Sequence, residues 1–265
     1  MTSICTFASG SSGNAALFSY GETHILIDMG ISCRRICQSL KALGLTPEQL
    51  SGVFITHEHS DHIGGLETYI KKYRTPIYCT PAVGRQLEYR LAGIGPLLRP
   101  VELGEIISFG GVDLDILPTS HDCRDSAACH FCTPDGRVGY LTDSGYIPDE
   151  TGDRLLGADI LVLESNHDLE MLRDGPYPFH LKKRILGLEG HLSNIVAAEY
   201  AVASVRAGTK QLMLAHLSHQ NNTPRAALDT VGQALREAGL TVKLSAAPRD
   251  AMSEALVLEG EGCRK

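Results

Sequence analysis

The chain has 265 residues, 43% of them hydrophobic, and a formal net charge of −7. That length builds one large domain or two small ones, the apolar content is ordinary for a soluble globular chain, and the acidic balance argues against indiscriminate adhesion to nucleic acid. No apolar run approaches the roughly 20 residues of a membrane helix, and Met1 to Cys5 lacks a basic-then-apolar leader, so a cytoplasmic location without membrane attachment is expected.

Residues 4–8 are predicted as a first strand, running into the small-residue turn Ser9-Gly10-Ser11-Ser12-Gly13-Asn14. Such a turn either lines a phosphate pocket with its backbone N–H groups, making Ser12 and Asn14 candidate substrate contacts, or simply closes a hairpin. Two more strands are predicted over 15–20 and 24–28. The second ends in Asp28, a carboxylate at the tip of an apolar strand, placed to hold a ligand histidine or a bound water from behind. Ser32 caps a helix with Ile36, Leu40 and Leu43 on one face and a stop at Gly44. Thr46-Pro47 opens a short helix.

The densest chemistry follows. Val53 to Thr56 reads as a short buried strand, and it feeds His57-Glu58-His59-Ser60-Asp61-His62. Ser60 is a helix cap, with the helix continuing from Asp61 through Leu66, Tyr69 and Ile70. His57 and His59 then leave the strand pointing the same way, and Asp61 and His62 lie just beyond. This offers a nitrogen pair to one cation and a carboxylate with an imidazole to a neighbour, donor types that suit zinc and similar divalent ions.

A strand over 76–80, a helix over 81–91 and a hairpin over 106–117 around Gly110-Gly111 come next. Its second strand alternates Val112, Leu114 and Ile116 with Asp113 and Asp115, which predicts one wet face. It leads to His121. Cys129-His130-Phe131-Cys132 is the one C-x-x-C. It lacks a second pair, and with no export signal the eight cysteines read as reduced thiols. A strand over 138–141 ends in Asp143. Another over 160–163 ends in Glu164-Ser165-Asn166-His167-Asp168, and one over 212–215 ends in His216. Polar, metal-capable residues thus recur at the C-terminal ends of apolar strands, where ligands collect in sheet folds.

Helices are predicted over 180–188, 194–207 and 224–238. The free N–H groups that start the middle one would favour an anion near His191, with Ser193 and Asn194 as substrate contacts. Strands over 241–245 and 255–258 close the pattern. The basic clusters Arg34-Arg35, Lys71-Lys72 with Arg74, and Lys182-Lys183-Arg184 read as solvated faces rather than a phosphate track. No linker or repeat interrupts, so residues 1–265 are taken as one domain of two strand-rich halves with helices outside.

His57-x-His59-x-Asp61-His62, with Asp28 before it and His121, Asp143 and His216 after it, resembles the metallo-β-lactamase superfamily over nearly the whole chain. The resemblance implies an α/β fold, an αββα four-layer sandwich with two metals between the sheet edges. Aspartate rather than cysteine at 143 resembles the phosphodiesterases of the superfamily. Glu164-x-x-His167 with His191 resembles the auxiliary histidine motif of tRNA 3′-processing enzymes. The set as a whole is most similar to the small bacterial YycJ/WalJ-like group, described as DNA nucleases that include 5′-to-3′ exonucleases.

The resemblance implies His57, His59 and His121 on one ion, Asp61, His62 and His216 on the second, and Asp143 bridging. The ions would be Zn²⁺ or Mn²⁺ with a hydroxide between them, acting on DNA. Asp61 would orient the water, His191 would donate to the phosphate or the leaving oxygen, and His167 joins as a catalytic candidate, with Glu164 either orienting it or supporting the site. The alternative is a small-molecule hydrolase for a cyclic phosphodiester, thioester or lactone, since the same ions serve all of these. The roles of His219, Cys129 and Cys132 and the oligomeric state, a homodimer included, stay open.

Overall fold

The computed structural model describes residues 1–258; residues 259–265, with Cys263 and the end of the predicted domain, lie outside it. The first half of the chain builds one sheet. It contains β1 (Thr2–Ala8), β2 (Ala15–Tyr20), β3 (Thr23–Ile27), β4 (Gly52–Phe54), β5 (Ile77–Cys79) and β6 (Leu98–Pro100). The second half builds another from β7 (Ile106–Phe109), β8 (Val112–Pro118), β9 (Ala127–Thr133), β10 (Gly136–Leu141), β11 (Ile160–Glu164), β12 (Gln211–Ala215) and β13 (Lys243–Ala246). The last strand, β14 (Leu256–Leu258), crosses back to pair with β1, giving the orders β14-β1-β2-β3-β4-β5-β6 and β13-β12-β11-β10-β9-β8-β7.

Both sheets are covered on both faces, and the sequence shows why. In β11, Ile160 and Val162 point into the core between the sheets, while Leu161 and Leu163 pack under helices. In β3, Ile25 and Ile27 face the other sheet and Leu26 faces outward to helices. A strand apolar at every position is buried on both sides. Phe18 and Phe131 stack across the middle layer with ring centroids 4.0 Å apart. The first sheet is covered by α1 (Cys33–Ala42), α2 (Ser60–Ile63), α3 (Leu66–Ile70) and α4 (Pro81–Arg90). The helices of the second half are α5 (Asp149–Leu155), α6 (Leu169–Asp174), α7 (Phe179–Ile185), α8 (Asn194–Arg206) and α9 (Pro224–Glu237). The result is the αββα sandwich.

Several expectations need correction. The helix predicted to run unbroken from Asp61 to Ile70 is split at Gly64-Gly65. Here the chain presses on the strand-end loop after β3, and a Cβ at Gly65 would lie 2.1 Å from the Ile31 carbonyl oxygen. Ser60 is the first residue of α2 rather than its cap, which is His59. The wet face of β8 is only partly wet: Asp115 is buried under α5, 3.2 Å from the Arg154 guanidinium and 3.8 Å from His130. Strand β9 went unpredicted because Cys129-His130-Phe131-Cys132 reads as a motif rather than as alternation. On a strand, residues three apart face opposite ways. Cys129 accordingly enters the core between the sheets, while Cys132 lies beside His130 on the other face. The short α5 and α6 also carry no strong periodic signal.

Candidate metal centre

Each polar strand end of the sequence reaches one edge of the sandwich. Three of them, Asp28, Asp143 and His216, share a left-handed backbone with φ of 58°, 58° and 53°. That conformation costs a non-glycine residue about 1 kcal/mol or more, and such strain concentrates at functional sites. Here it turns the chain sharply where a strand ends, leaving the side chain at the sheet edge. Gly30 brings the HxHxDH loop in. Its Cβ would lie 1.6 Å from the Asp61 carbonyl oxygen, and the Asn14, Met29 and Gly30 amides tie the two loops together through Asp61, His62 and Asn14 carbonyls, each at 2.7 Å.

The histidines are fixed from behind. The Nδ1 atoms of His57, His62, His121 and His216 lie against Thr56 Oγ1 (3.0 Å), Asp28 Oδ2 (2.7 Å), the Gly190 carbonyl (3.2 Å) and Asn14 Oδ1 (3.2 Å). An acceptor at Nδ1 sets the tautomer with its lone pair on Nε2, the form that binds a cation. His59 is reversed. Its Nδ1 faces His121 Nε2 at 3.3 Å, and its Nε2 is 3.5 Å from Asp122 Oδ1. Asp143 lies between, 3.3 Å from both His62 Nε2 and His216 Nε2.

Donor atoms within 4.8 Å of one another form the groups His57–His59–His121, His57–His62–Asp143, Asp61–His62–His216 and Asp143–Glu164–His191–His216. All seven residues expected as ligands therefore converge. His57 Nε2 and Asp143 Oδ2 are buried with no hydrogen-bond partner among the described residues. Leaving such atoms unpaired is costly, and cations between them would satisfy both. The donor set of imidazoles and carboxylates fits divalent ions.

The electrostatics are those of an incipient ion site. Burial pulls the His57 and His121 imidazoles below their usual range. Burial acts the same way on His62, but the Asp28 and Asp143 carboxylates outweigh it and raise it well above that range. Burial would raise Asp143, yet the surrounding imidazoles of His216, His62, His57 and His121 hold it well below the usual carboxylate range.

The auxiliary residues are rearranged relative to expectation. Glu164 pairs with His191, not His167: its Oε1 accepts a hydrogen bond from His191 Nδ1–H at 2.8 Å, and its Oε2 accepts from the Ser144 and Leu192 amides at 3.0 and 3.1 Å. Burial would lower His191, but Glu164, with Asp143 behind it, carries it up to about 9. His191 stacks on His216 and lines the open pocket over the centre, a cavity of about 220 Å³ that also touches His59, Asp61, Asp143 and Tyr177. His167 does not line it. Its ring is buried, both nitrogens lack a partner among the described residues, and burial lowers it to about 4.

The four residues expected to contact substrate turn mostly inward. Asn14 is fully buried and joins Gly10, Asp61, His62 and His216. Ser193 caps α8, and Asn194 bonds Ser165 and Asn222 in the interior. Ser12 is exposed, while its neighbour Ser11 lines the pocket. The Ser9, Gly10, Gly13 and Asn14 amides are already bonded within the chain, so most of this turn cannot cradle a phosphate. His219 is exposed and does not line the pocket.

Sequence reading missed Thr56, which links Asp28 to His57, and Arg184, whose Nε donates to Asp122 at 2.6 Å. Thr56 carried a signal, being the polar end of a buried strand. Arg184 carried none, since its partner is 62 residues away.

Comparison with known proteins agrees with this geometry. A family model described as a β-lactamase superfamily domain matches residues 23–217. The chain is 35% identical to the exodeoxyribonuclease YycJ of Bacillus anthracis over 89% of each chain. It is also 35% identical to the exodeoxyribonuclease WalJ of Streptococcus pneumoniae, over 89% of this chain and 88% of that one. Among solved structures, the metallo-β-lactamase fold protein YhfI of Bacillus subtilis superposes with a TM-score of 0.71 at 20% identity, covering 96% of this chain and 99% of its own. With a family model spanning well over half the chain and relatives matching along almost their full length, this chain belongs to the β-lactamase superfamily and has the metallo-β-lactamase fold.

Proposed function

We propose that this protein hydrolyses phosphodiester bonds in DNA with two divalent ions, Zn²⁺ or Mn²⁺, removing nucleotides from a strand end. The 5′-to-3′ direction is the polarity that the sequence resemblance implies. The observation that carries the reading is Asp143: a buried carboxylate among four histidines, one oxygen unpaired, beside the Glu164–His191 pair at the pocket mouth. The names of the full-length relatives, both exodeoxyribonucleases, support the substrate.

His57, His59 and His121 would hold one ion, and Asp61, His62 and His216 the other, with Asp143 shared. When bound, the ions supply Lewis-acid stabilisation of the phosphoryl oxygens and of the attacking water. The protein's own groups do the rest. Asp61, partly open to the pocket, accepts a hydrogen bond from the attacking water and orients it. His191, kept protonated and aimed by Glu164, donates to a non-bridging oxygen or to the leaving oxygen. His167 supports the His191 loop from the interior, its backbone carbonyl accepting from the Asn194 amide at 2.8 Å. A cytoplasmic location goes with a DNA substrate and reduced thiols.

The test is a substrate panel. Metal-loaded protein is offered single- and double-stranded DNA with 5′-phosphate or 5′-hydroxyl ends, beside a thioester and bis-p-nitrophenyl phosphate. Mononucleotide release from DNA is expected. Cleavage of the thioester with DNA left intact sinks the reading in favour of a small-molecule hydrolase.

A further inference from the structure

The basic run Lys182-Lys183-Arg184 lies on α7, a helix with two working faces. Leu181, Arg184 and Ile185 line the pocket over the metal centre. Phe179, Lys182, Lys183 and Leu186 line a separate groove of about 870 Å³ against α6. The spacings, i/i+3/i+4 on one side and i/i+3/i+4/i+7 on the other, are those of adjacent helical stripes. The groove therefore begins one helix width from the reaction centre. Two aromatics straddle the divide: Tyr177 belongs to the metal pocket and Phe179, two residues on, to the groove.

The groove wall is unusual for a solvated face. Phe179 is 81% exposed and Leu186 57% exposed. Lys182 and Lys183 stand on the same wall, on a chain whose overall charge is −7. Glu170 is the acid lining the groove, and Arg173 is engaged with Asp174 at 2.9 Å. The helix is also anchored. Arg184 holds Asp122, which stands 3.5 Å from His59 Nε2, and Lys182 Nζ donates to the Arg173 carbonyl at 2.6 Å.

We infer that α7 carries the single strand of DNA flanking the scissile phosphate, with a base stacked on Phe179 and phosphates met by Lys182 and Lys183. An exposed aromatic beside exposed apolar surface and neighbouring lysines is how single strands are held without sequence preference. The position one helix away from the reaction pocket and the local positive charge select a nucleic-acid strand over an apolar partner. The helix is about 10 Å long, which spans one or two nucleotides. This deepens the proposed DNA hydrolysis and rests on it.

The test compares two substrates on metal-loaded protein: a 5′-phosphorylated single-stranded oligothymidylate, and bis-p-nitrophenyl phosphate, which is too short to reach the groove. For Phe179→Ala and for the double variant Lys182→Gln/Lys183→Gln, KM for the oligonucleotide rises about tenfold, while KM for the short probe moves by less than about twofold. The double variant also flattens the salt dependence of oligonucleotide KM, by a slope of about 1.4 for two lost phosphate contacts. Phe179 and Lys183 are exposed, while Lys182 is half-buried with its Nζ on the Arg173 carbonyl, so Lys183→Gln alone and the melting midpoint of each variant separate a lost phosphate contact from a loosened helix. Unchanged oligonucleotide KM overturns the inference. So do equal losses on both substrates, which make α7 only a wall of the metal pocket, and a changed oligomeric state with unaltered KM, which gives the groove to a second copy of the chain. If unmodified protein cleaves the short probe and leaves DNA intact, the proposed DNA hydrolysis itself fails.

Discussion

Replacing Asp28 by asparagine separates the metal centre from the fold that carries it. The carboxylate is fully buried and accepts from three donors: His62 Nδ1 at 2.7 Å, the Thr56 amide at 2.9 Å and Thr56 Oγ1 at 2.9 Å. Asparagine keeps the shape but retains one acceptor oxygen, so at least one donor meets an N–H instead. A buried unsatisfied donor costs about 1–3 kcal/mol. Loss of the partner behind a ligating histidine weakens metal affinity by about 10–100-fold, or roughly 1.4–2.8 kcal/mol. Metal-free Asp28→Asn protein should unfold a few degrees lower than unmodified protein. Titration against a competing chelator, with metal content read by mass spectrometry, should show one ion held about as before and the His62-side ion released first. Two ions held with unmodified affinity and an unchanged melting midpoint would refute the reasoning.

Other predictions follow from the same geometry. Gly30→Ala places a Cβ against the Asp61 carbonyl and should displace the HxHxDH loop, with loss of metal and a Tm lower by several degrees; metal content and melting check it. Phe18→Ala removes one half of the stack across the middle layer and should cost about 3–5 kcal/mol by denaturant titration, with metal stoichiometry retained in the folded fraction. His130 and His167 are buried neutral, each lowered to about 4 by burial. The unfolded chain therefore binds protons first, so their contribution is full above about pH 6.5 and is lost as pH falls towards 4, by up to about 3 kcal/mol each. Metal-free His130→Gln protein should show a shallower loss of stability between pH 7 and 5 than unmodified protein.

Much of the site was legible because its chemistry lies at strand ends. Asp28, His57, His121, Asp143 and His216 each terminate an apolar run, and one such pattern repeated brings its residues to one sheet edge whatever the loops do. The layered fold was legible for a similar reason: runs such as Ile160 to Leu163 are apolar at every position and demand cover on both faces. What stayed hidden depends on contacts distant in sequence. The pairing of Glu164 with His191 rather than His167 is set by how the loop before α8 packs, and no spacing encodes it. The inward turn of Asn14 and Asn194 is a matter of side-chain direction within loops. The break at Gly64-Gly65 was available as two adjacent glycines, but its cause, the approach of Ile31, was not.

On the proposed reading, two ions held around Asp143 hydrolyse DNA. This is tested most directly by titrating metal-free protein with Zn²⁺ or Mn²⁺ and following nucleotide release from DNA against ions bound per chain, beside Asp143→Ala. Release should climb with bound ion, saturate at two per chain, and be absent from Asp143→Ala together with its metal. Full DNA hydrolysis by Asp143→Ala, or by protein stripped of metal, would contradict it.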